Sequence, residues 1–263
     1  MVGVCQRWRT RRDSYRPARE VVSTRSLEVA PIADDRTARA FVVEHHYSGS
    51  YPAARFRFGL FDRGRLVGVA VYSVPCSDRV ITSCLPGDAR ESVELGRFVL
   101  LDAVGANGET WMLGRCHDYL RREGLVGVVS YSDPLPRATA DGAVVFGGHV
   151  GTIYQAHNAR YLGQAPRRTL RLLPDGAVFS ARAAQKIRAR ERGWRYAAAL
   201  LERWGATPLG EHDDARAWLA CWLPALTRTV RHPGNHKYVW GLDRRAVRQL
   251  PAARAYPKLV GAP

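Results

Sequence analysis

The chain has 263 residues, enough for one large domain with appendages and a sizeable buried core. Arginine and lysine outnumber the acids by 40 to 24, a formal charge of +16, which points to a polyanionic partner such as a phosphate backbone. No apolar stretch reaches membrane-spanning length, which excludes a helical membrane protein.

Only Lys186, Lys237 and Lys258 are lysines, so arginine supplies nearly all of the positive charge. Codon bias accounts for arginine in place of lysine, but not for the net excess. The five cysteines (Cys5, Cys76, Cys84, Cys116 and Cys221) form no C-x-x-C pair. An odd count without metal-type spacing fits reduced thiols in a cytoplasm. Cys116 and Cys221 lie in apolar periodic segments and read as small core residues.

Residues 1–25 carry seven arginines (Arg7, Arg9, Arg11, Arg12, Arg16, Arg19 and Arg25) against Asp13 and Glu20, without helical periodicity. This composition predicts a disordered solubilising arm or a basic arm on nucleic acid. From residue 26 the pattern is that of a mixed α/β domain. Asp34 or Asp35 caps a helix through Ala40–Val43 that ends at His45-His46-Tyr47-Ser48-Gly49. Phe56–Phe61 alternates, Asp62-Arg63-Gly64 turns and Leu66–Val74 runs apolar, which together predict a hairpin.

Val93–Leu101 is a further strand. A loop with Gly105, Asn107 and Gly108 then leads into a helix with Trp111, Met112, Leu113, Cys116, Tyr119 and Leu120 at helical spacing. The apolar strand Val126–Val129 opens into Ser130-Tyr131-Ser132-Asp133, a cluster of hydroxyls and one carboxylate. A short helix with Tyr154 and a strand over Thr169–Leu173 follow. Polar groups at a strand's carboxyl end are placed for ligand chemistry in an open α/β sheet, although Ser and Asp there also serve as ordinary turn caps.

A helix over Ser180–Arg192 lines up Arg182, Lys186 and Arg190 on one face, ready for phosphate contact or merely solvated. The last apolar helix begins at Ala215. Val230–His232 and His236–Trp240 then read as two strands paired around Pro233-Gly234, with Lys237 or Arg231 able to touch phosphate. The implied organisation is a basic arm over 1–25, a catalytic core over 26–175 and an extension over 176–263 packing on that core.

The order helix, hairpin, strand, Gly loop, helix, strand, helix, strand resembles the GNAT acetyltransferase superfamily. Five local strings are similar to the phage Mom DNA-modification family: His45–Gly49, Glu94-Leu95-Gly96-Arg97-Phe98, Ser130–Asp133, Gly151-Thr152-Ile153-Tyr154-Gln155-Ala156 and Arg231–Tyr238. The resemblance implies a GNAT-like mixed central sheet flanked by helices. It also implies a transferase that carbamoylmethylates the exocyclic amine of adenine in double-stranded phage DNA, protecting it from host restriction.

In that reading Asp133 accepts a hydrogen bond from the amine or acts as base, Ser130 and Ser132 orient it, and Tyr154 is the acid. His46 and Tyr47 border the cleft, and Tyr51 stacks on a flipped base. Arg97 meets Glu94, Asp133 or a cofactor phosphate, an internal salt bridge being the simplest reading. Acetyl-CoA or a related donor would lie on Gly105, Asn107 and Gly108 at a helix N-terminus. However, Asp102-Ala103-Val104-Gly105-Ala106-Asn107 has an acid where the superfamily loop has Gln or Arg. The family also implies iron, without a supporting His spacing in this chain. A GNAT enzyme acylating another amine and a non-catalytic DNA-binding protein stay open, as does a homodimer.

Overall fold

The computed structural model describes residues 4–17, 20 and 23–258. In chain order the elements are β1 (Val4–Arg9), β2 (Arg12–Pro17), β3 (Leu27–Pro31), α1 (Asp35–His45), β4 (Ala54–Asp62) and β5 (Arg65–Ser73). They continue with α2 (Arg79–Thr82), a 3₁₀ turn at Ala89–Glu91, β6 (Ser92–Leu100), α3 (Gly108–Arg122) and β7 (Gly127–Ser132). Next come β8 (Arg137–Ala138), β9 (Val144–Phe146), α4 (Thr152–Ala156), β10 (Arg160–Gln164), β11 (Arg168–Leu172) and β12 (Val178–Phe179). The chain closes with α5 (Ala181–Ala189), α6 (Trp194–Glu202), α7 (Ala215–Leu226), β13 (Arg228–His232), β14 (His236–Gly241) and α8 (Arg244–Gln249).

Two compact units result. The first holds the described residues up to Pro134, Gly148–Ala165 and the described residues from Asn235 onward, and the second holds Leu135–Gly147 and Pro166–Gly234. In the first, a seven-stranded mixed sheet runs β10-β14-β7-β6-β5-β4-β3. Every pairing is antiparallel except β6 with β7. This is the GNAT-like sheet that the resemblance implies.

Local chemistry sets these elements. The Asp34 carboxylate accepts the Thr37 N–H at 3.0 Å and caps α1. Arg63 and Gly64, both at positive φ, make the tight β4–β5 turn. One sheet face buries Phe58, Leu60, Ala70, Tyr72, Leu95 and Val128 against Met112, Leu113, Cys116 and Leu120 of α3. On the opposite face Ile81, Cys84 and Leu85 pack with Val129 and Val239, and α1 lies against β4, β5 and β6.

The second unit has its own core. Phe179, Ala184, Ile187, Ala197, Leu201, Trp218 and Leu219 join α5, α6 and α7, beside the three-stranded sheet β12-β11-β13.

Three expectations are corrected. Within the basic arm, residues 4–17 form an antiparallel hairpin, β1–β2. The strands around Pro233-Gly234 do not pair with each other: β13 joins β11, whereas β14 enters the central sheet between β10 and β7. Cys221 is exposed, although Cys116 is buried as expected. Among the described residues, no helix is long and apolar enough to cross a membrane.

Candidate active site

The parallel strands β6 and β7 pair only from Ser92↔Gly127 to Leu95↔Ser130. Beyond that point β6 continues to Leu100 beside β5 alone, and β7 continues to Ser132 beside β14 alone. The sheet therefore forks. Ser130, fully buried, closes the fork by donating from Oγ to the Leu95 carbonyl at 3.0 Å. A register shift next to Gly96 bends β6 away at the same level. A Cβ on Gly96 would lie 2.6 Å from Ser73 Oγ, so glycine permits this close approach.

Side chains from both sheet faces meet at the fork. Tyr154 of α4 is buried from the α3 side, its ring 5.4 Å from Tyr238 and 5.5 Å from Trp240. Burial raises its phenol pKa, while a hydrogen bond with Ser130 and the nearby Arg97 charge pull it back. Glu94 and Arg97 lie on the opposite face, because their neighbours Leu95 and Phe98 point into the α3 core. Burial raises the Glu94 carboxyl above its ordinary value, against the pull of Arg97 and Lys237. Burial lowers the Arg97 guanidinium, against Tyr47, Glu94 and Tyr154.

Arg97 departs from its expected salt bridge. Among the described residues no carboxylate pairs with it, and its donors go to neutral acceptors. Nε reaches the Ser50 carbonyl at 2.8 Å, a terminal nitrogen reaches Ser50 Oγ at 2.8 Å, and the other bonds the Gly96 carbonyl. A desolvated cation held this way keeps attraction in reserve for a charge that enters or develops beside it.

The other predicted residues divide into two groups. Ser132 is fully buried, and its Oγ has no hydrogen-bond partner among the described residues. Asp133 follows it, buried, with its carbonyl accepting the His149 N–H at 2.8 Å. His46 is buried at the end of α1. Its Nδ1 accepts the Ser48 N–H at 3.1 Å, which leaves the proton of a neutral ring on Nε2. Tyr47 packs between the tilted rings of His46 at 4.3 Å and Trp8 at 4.7 Å.

Tyr51 is not presented as a stacking face. Its hydroxyl donates to Asp35 at 2.9 Å and the Arg39 guanidinium covers its ring at 4.8 Å. The α5 stripe is partly engaged in the same way. Arg182 pairs with Glu191, and Arg190 donates to the Gly210 and Asp213 carbonyls at 2.8 and 2.9 Å. Lys186 stays available among the described residues. Lys237 is tied to the Val80 carbonyl and Ser83 Oγ, both at 2.9 Å.

Two residues were underestimated from sequence. Glu94 entered only as a partner for Arg97, though a carboxylate between the buried Val93 and Leu95 is itself a signal. Trp8 was hidden in an arm whose composition suggests disorder. A groove of about 320 Å³ lined by Val29, Phe58, Asp118 and Tyr119 lies over the end of α3, away from the fork.

Gly151 positions the tyrosine pair. It begins α4 at φ 72°, where a Cβ would fall 2.8 Å from both Tyr154 Cδ2 and Tyr238 Cε2. Gly151→Ala is expected to cost about 1–3 kcal/mol through backbone strain and ring displacement. Thermal denaturation checks this, and an unchanged melting temperature would mean that the ring pair yields freely.

The profile of the Mom protein family matches residues 26–258. The chain belongs to the Mom protein family. No curated protein matches this Mom family member. Among solved structures it is similar to a tandem GNAT protein from the clavulanic acid biosynthesis pathway, at 12% identity and TM-score 0.38. That similarity covers 56% of this chain and 48% of the other, so the Mom chain spans about half the length of the tandem protein. It is also similar to a Salmonella typhimurium protein described as an acetyltransferase and solved with its cofactor acetyl-CoA, at 11% identity, TM-score 0.40, and 83% and 95% coverage. An N-acetyltransferase from Staphylococcus aureus Mu50 follows at 10% identity, TM-score 0.30, and 72% and 68% coverage. The strand order, not these neighbours, carries the fold assignment of the Mom chain.

Neither implied cofactor fits the residues of the Mom chain. Among the described residues no three His, Cys, Asp or Glu side chains converge to hold a metal, so iron lacks a ligand set. The loop expected to cradle a pyrophosphate is already filled. Arg7 donates from Nη1 to the Leu101 carbonyl at 2.9 Å and to Val104, and from Nη2 to Gly105 at 2.9 Å. The Glu20 carboxylate accepts the Ala106 N–H at 3.2 Å.

Proposed function

We propose that this protein is a transferase that modifies the exocyclic amine of adenine in duplex DNA, with a carbamoylmethyl group as the added unit and resistance to restriction as the consequence. The observation that carries the reading is the fork between β6 and β7, where the buried Tyr154 is hydrogen-bonded to Ser130 and feels the charges of Arg97 and Glu94. Membership of the Mom family supports the choice of adenine in DNA as substrate.

Adenine's amine is a weak nucleophile because its lone pair is delocalised into the ring. The base must leave the stack and meet a base catalyst and an electrophile together. Glu94, with its raised pKa, takes the N6 proton as the new N–C bond forms. The electrophilic carbon loses its leaving group as that bond forms, and the Tyr154 hydroxyl, kept protonated by burial, passes its proton to the leaving group. Arg97 stabilises the negative charge that develops on the departing group. Exchange with solvent then resets Glu94 and Tyr154. Ser130 orients Tyr154, and Asp133, Ser132 and His46 line the surroundings.

Mass spectrometry of nucleosides from cells expressing the protein is expected to reveal a new adenine derivative. Unmodified adenine alongside abundant folded protein would refute the reading. Duplex affinity should fall steeply with salt, because the excess arginine acts by releasing counterions. Lys186→Ala should reduce that slope, whereas Arg182 and Arg190 are occupied by protein acceptors. Salt-insensitive binding would argue against a phosphate-tracking surface.

A further inference from the structure

We propose that the β1–β2 hairpin fills the place where a nucleotide-carried donor would dock, so that the protein takes its electrophile as a small molecule free of coenzyme A. The proposal rests on the transferase reading above only for the existence of a donor. The filling itself is read from contacts on the loop between β6 and α3.

A pyrophosphate needs unpaired N–H donors and positive charge at a helix N-terminus. Here the loop turns carbonyls toward the buried Arg7, which is 3% exposed and binds those of Leu101, Val104 and Gly105. Arg7 Nε also pairs with Glu109, in the first turn of α3, at 2.7 Å with both side chains buried. The Ala106 N–H, a donor that an incoming phosphate would seek, already carries the Glu20 carboxylate. Glu20 is held by Arg16 at 2.6 Å, and that bond, with the Ala106 N–H, lowers its carboxyl pKa.

The charge tally points the same way. Asp102, Glu109 and Glu20 face Arg7 and Arg16, three carboxylates against two guanidinium groups, with Ser14 Oγ donating to Asp102 at 2.9 Å. A polyphosphate entering here would have to expel Glu20 and then meet Glu109 and Asp102. Arg7 could not simply turn to greet it, because leaving Glu109 buried without its partner is costly.

The hairpin is anchored at both ends, not only at this loop. The Arg11 N–H donates to the His45 carbonyl at 2.9 Å, and Gln6 Nε2 donates to the Gly148 carbonyl at 3.1 Å. Trp8 packs on Tyr47, so the same hairpin that closes the cradle also walls the candidate site. The hairpin precedes the region matched by the family profile, which begins at residue 26.

The test titrates the intact protein with acetyl-CoA and with coenzyme A, following heat and melting temperature. No saturable heat and no shift are expected, whereas a ligand at about 100 times its Kd would raise the melting temperature by several degrees. A saturable rise with the intact chain would overturn the proposal, whatever the outcome for adenine. Glu20→Ala, a substitution at the solvent-facing side of the cradle, clears the Ala106 N–H without breaking the buried pair. Coenzyme A binding that appears only in this variant would support the proposal. Equal binding by wild type and variant would show that the hairpin does not occupy the nucleotide's place. Because these readouts are binding alone, their failure is distinct from a failure to find modified adenine.

Discussion

Arg97→Gln is expected to lower adenine modification by about 10²–10³-fold, the usual loss when one preorganised electrostatic group is removed from a reacting centre. Its melting temperature should stay within a few degrees of wild type. The two expectations have one cause. Arg97 is a partly desolvated cation whose partners are the neutral carbonyls of Ser50 and Gly96 and the Ser50 hydroxyl. Among the described residues no carboxylate within salt-bridge distance is left behind when it goes; Glu94 loses one of its two charge offsets but keeps Lys237, and the Gln amide can still donate to one of the Arg97 acceptors. A purely structural Arg97 predicts the reverse, with lower stability and modification retained. Arg97→Lys sharpens the comparison, since an ammonium keeps the charge but cannot span the Ser50 carbonyl and hydroxyl with a planar fork. Lys should restore part of the activity if charge is what matters. Nucleoside quantification beside thermal denaturation reads both quantities on the same preparations.

Much of the central sheet was legible because each strand from β4 to β7 carries its own signal. Phe56–Phe61 alternates, Arg63-Gly64 turns, and Val126–Val129 is apolar on both faces, as a central strand should be. The hairpin β1–β2 had no such signal. Its position is held by Arg7, Gln6 and Ser14 reaching carbonyls and a carboxylate 88 to 142 residues away in sequence, and a polar segment fixed by distant polar partners looks disordered on composition alone. The pairing around Pro233-Gly234 failed for a related reason. The break between the strands was read correctly, but β13 (Arg-Thr-Val-Arg-His) is mostly exposed, while β14 buries Tyr238, Val239 and Trp240. That difference in burial separates the two strands into different sheets. At the site, Ser130 and Tyr154 were visible as a polar cluster after an apolar strand, whereas Glu94 looked like an ordinary outward strand position. Its meaning depends on β6 and β7 diverging one residue later, which is a property of the pairing and not of either strand.

Glu94→Gln tests that assignment through activity and stability together. Modification should fall by about 10²–10⁴-fold, the range for a positioned acid–base group. Stability should move the other way near neutral pH. Burial raises the Glu94 carboxyl above its ordinary value of 4.5, with Arg97 and Lys237 only partly offsetting it. The folded protein thus holds this proton more tightly than the unfolded chain does. Its contribution to stability is full below the unfolded value and is lost as pH rises through the folded one. At neutral pH an ionised Glu94 is therefore a cost that Gln does not carry, and the variant should melt at a higher temperature than wild type. The gap should close as the pH falls below the ordinary glutamate range, where both side chains are neutral. The wild-type modification rate should decline on its acid side as Glu94 takes up its proton, and the residual activity of the variant should lack that limb. A variant that keeps full activity with the same acid limb would remove Glu94 from the chemistry and return the base to Asp133, the carboxylate one residue past the end of β7.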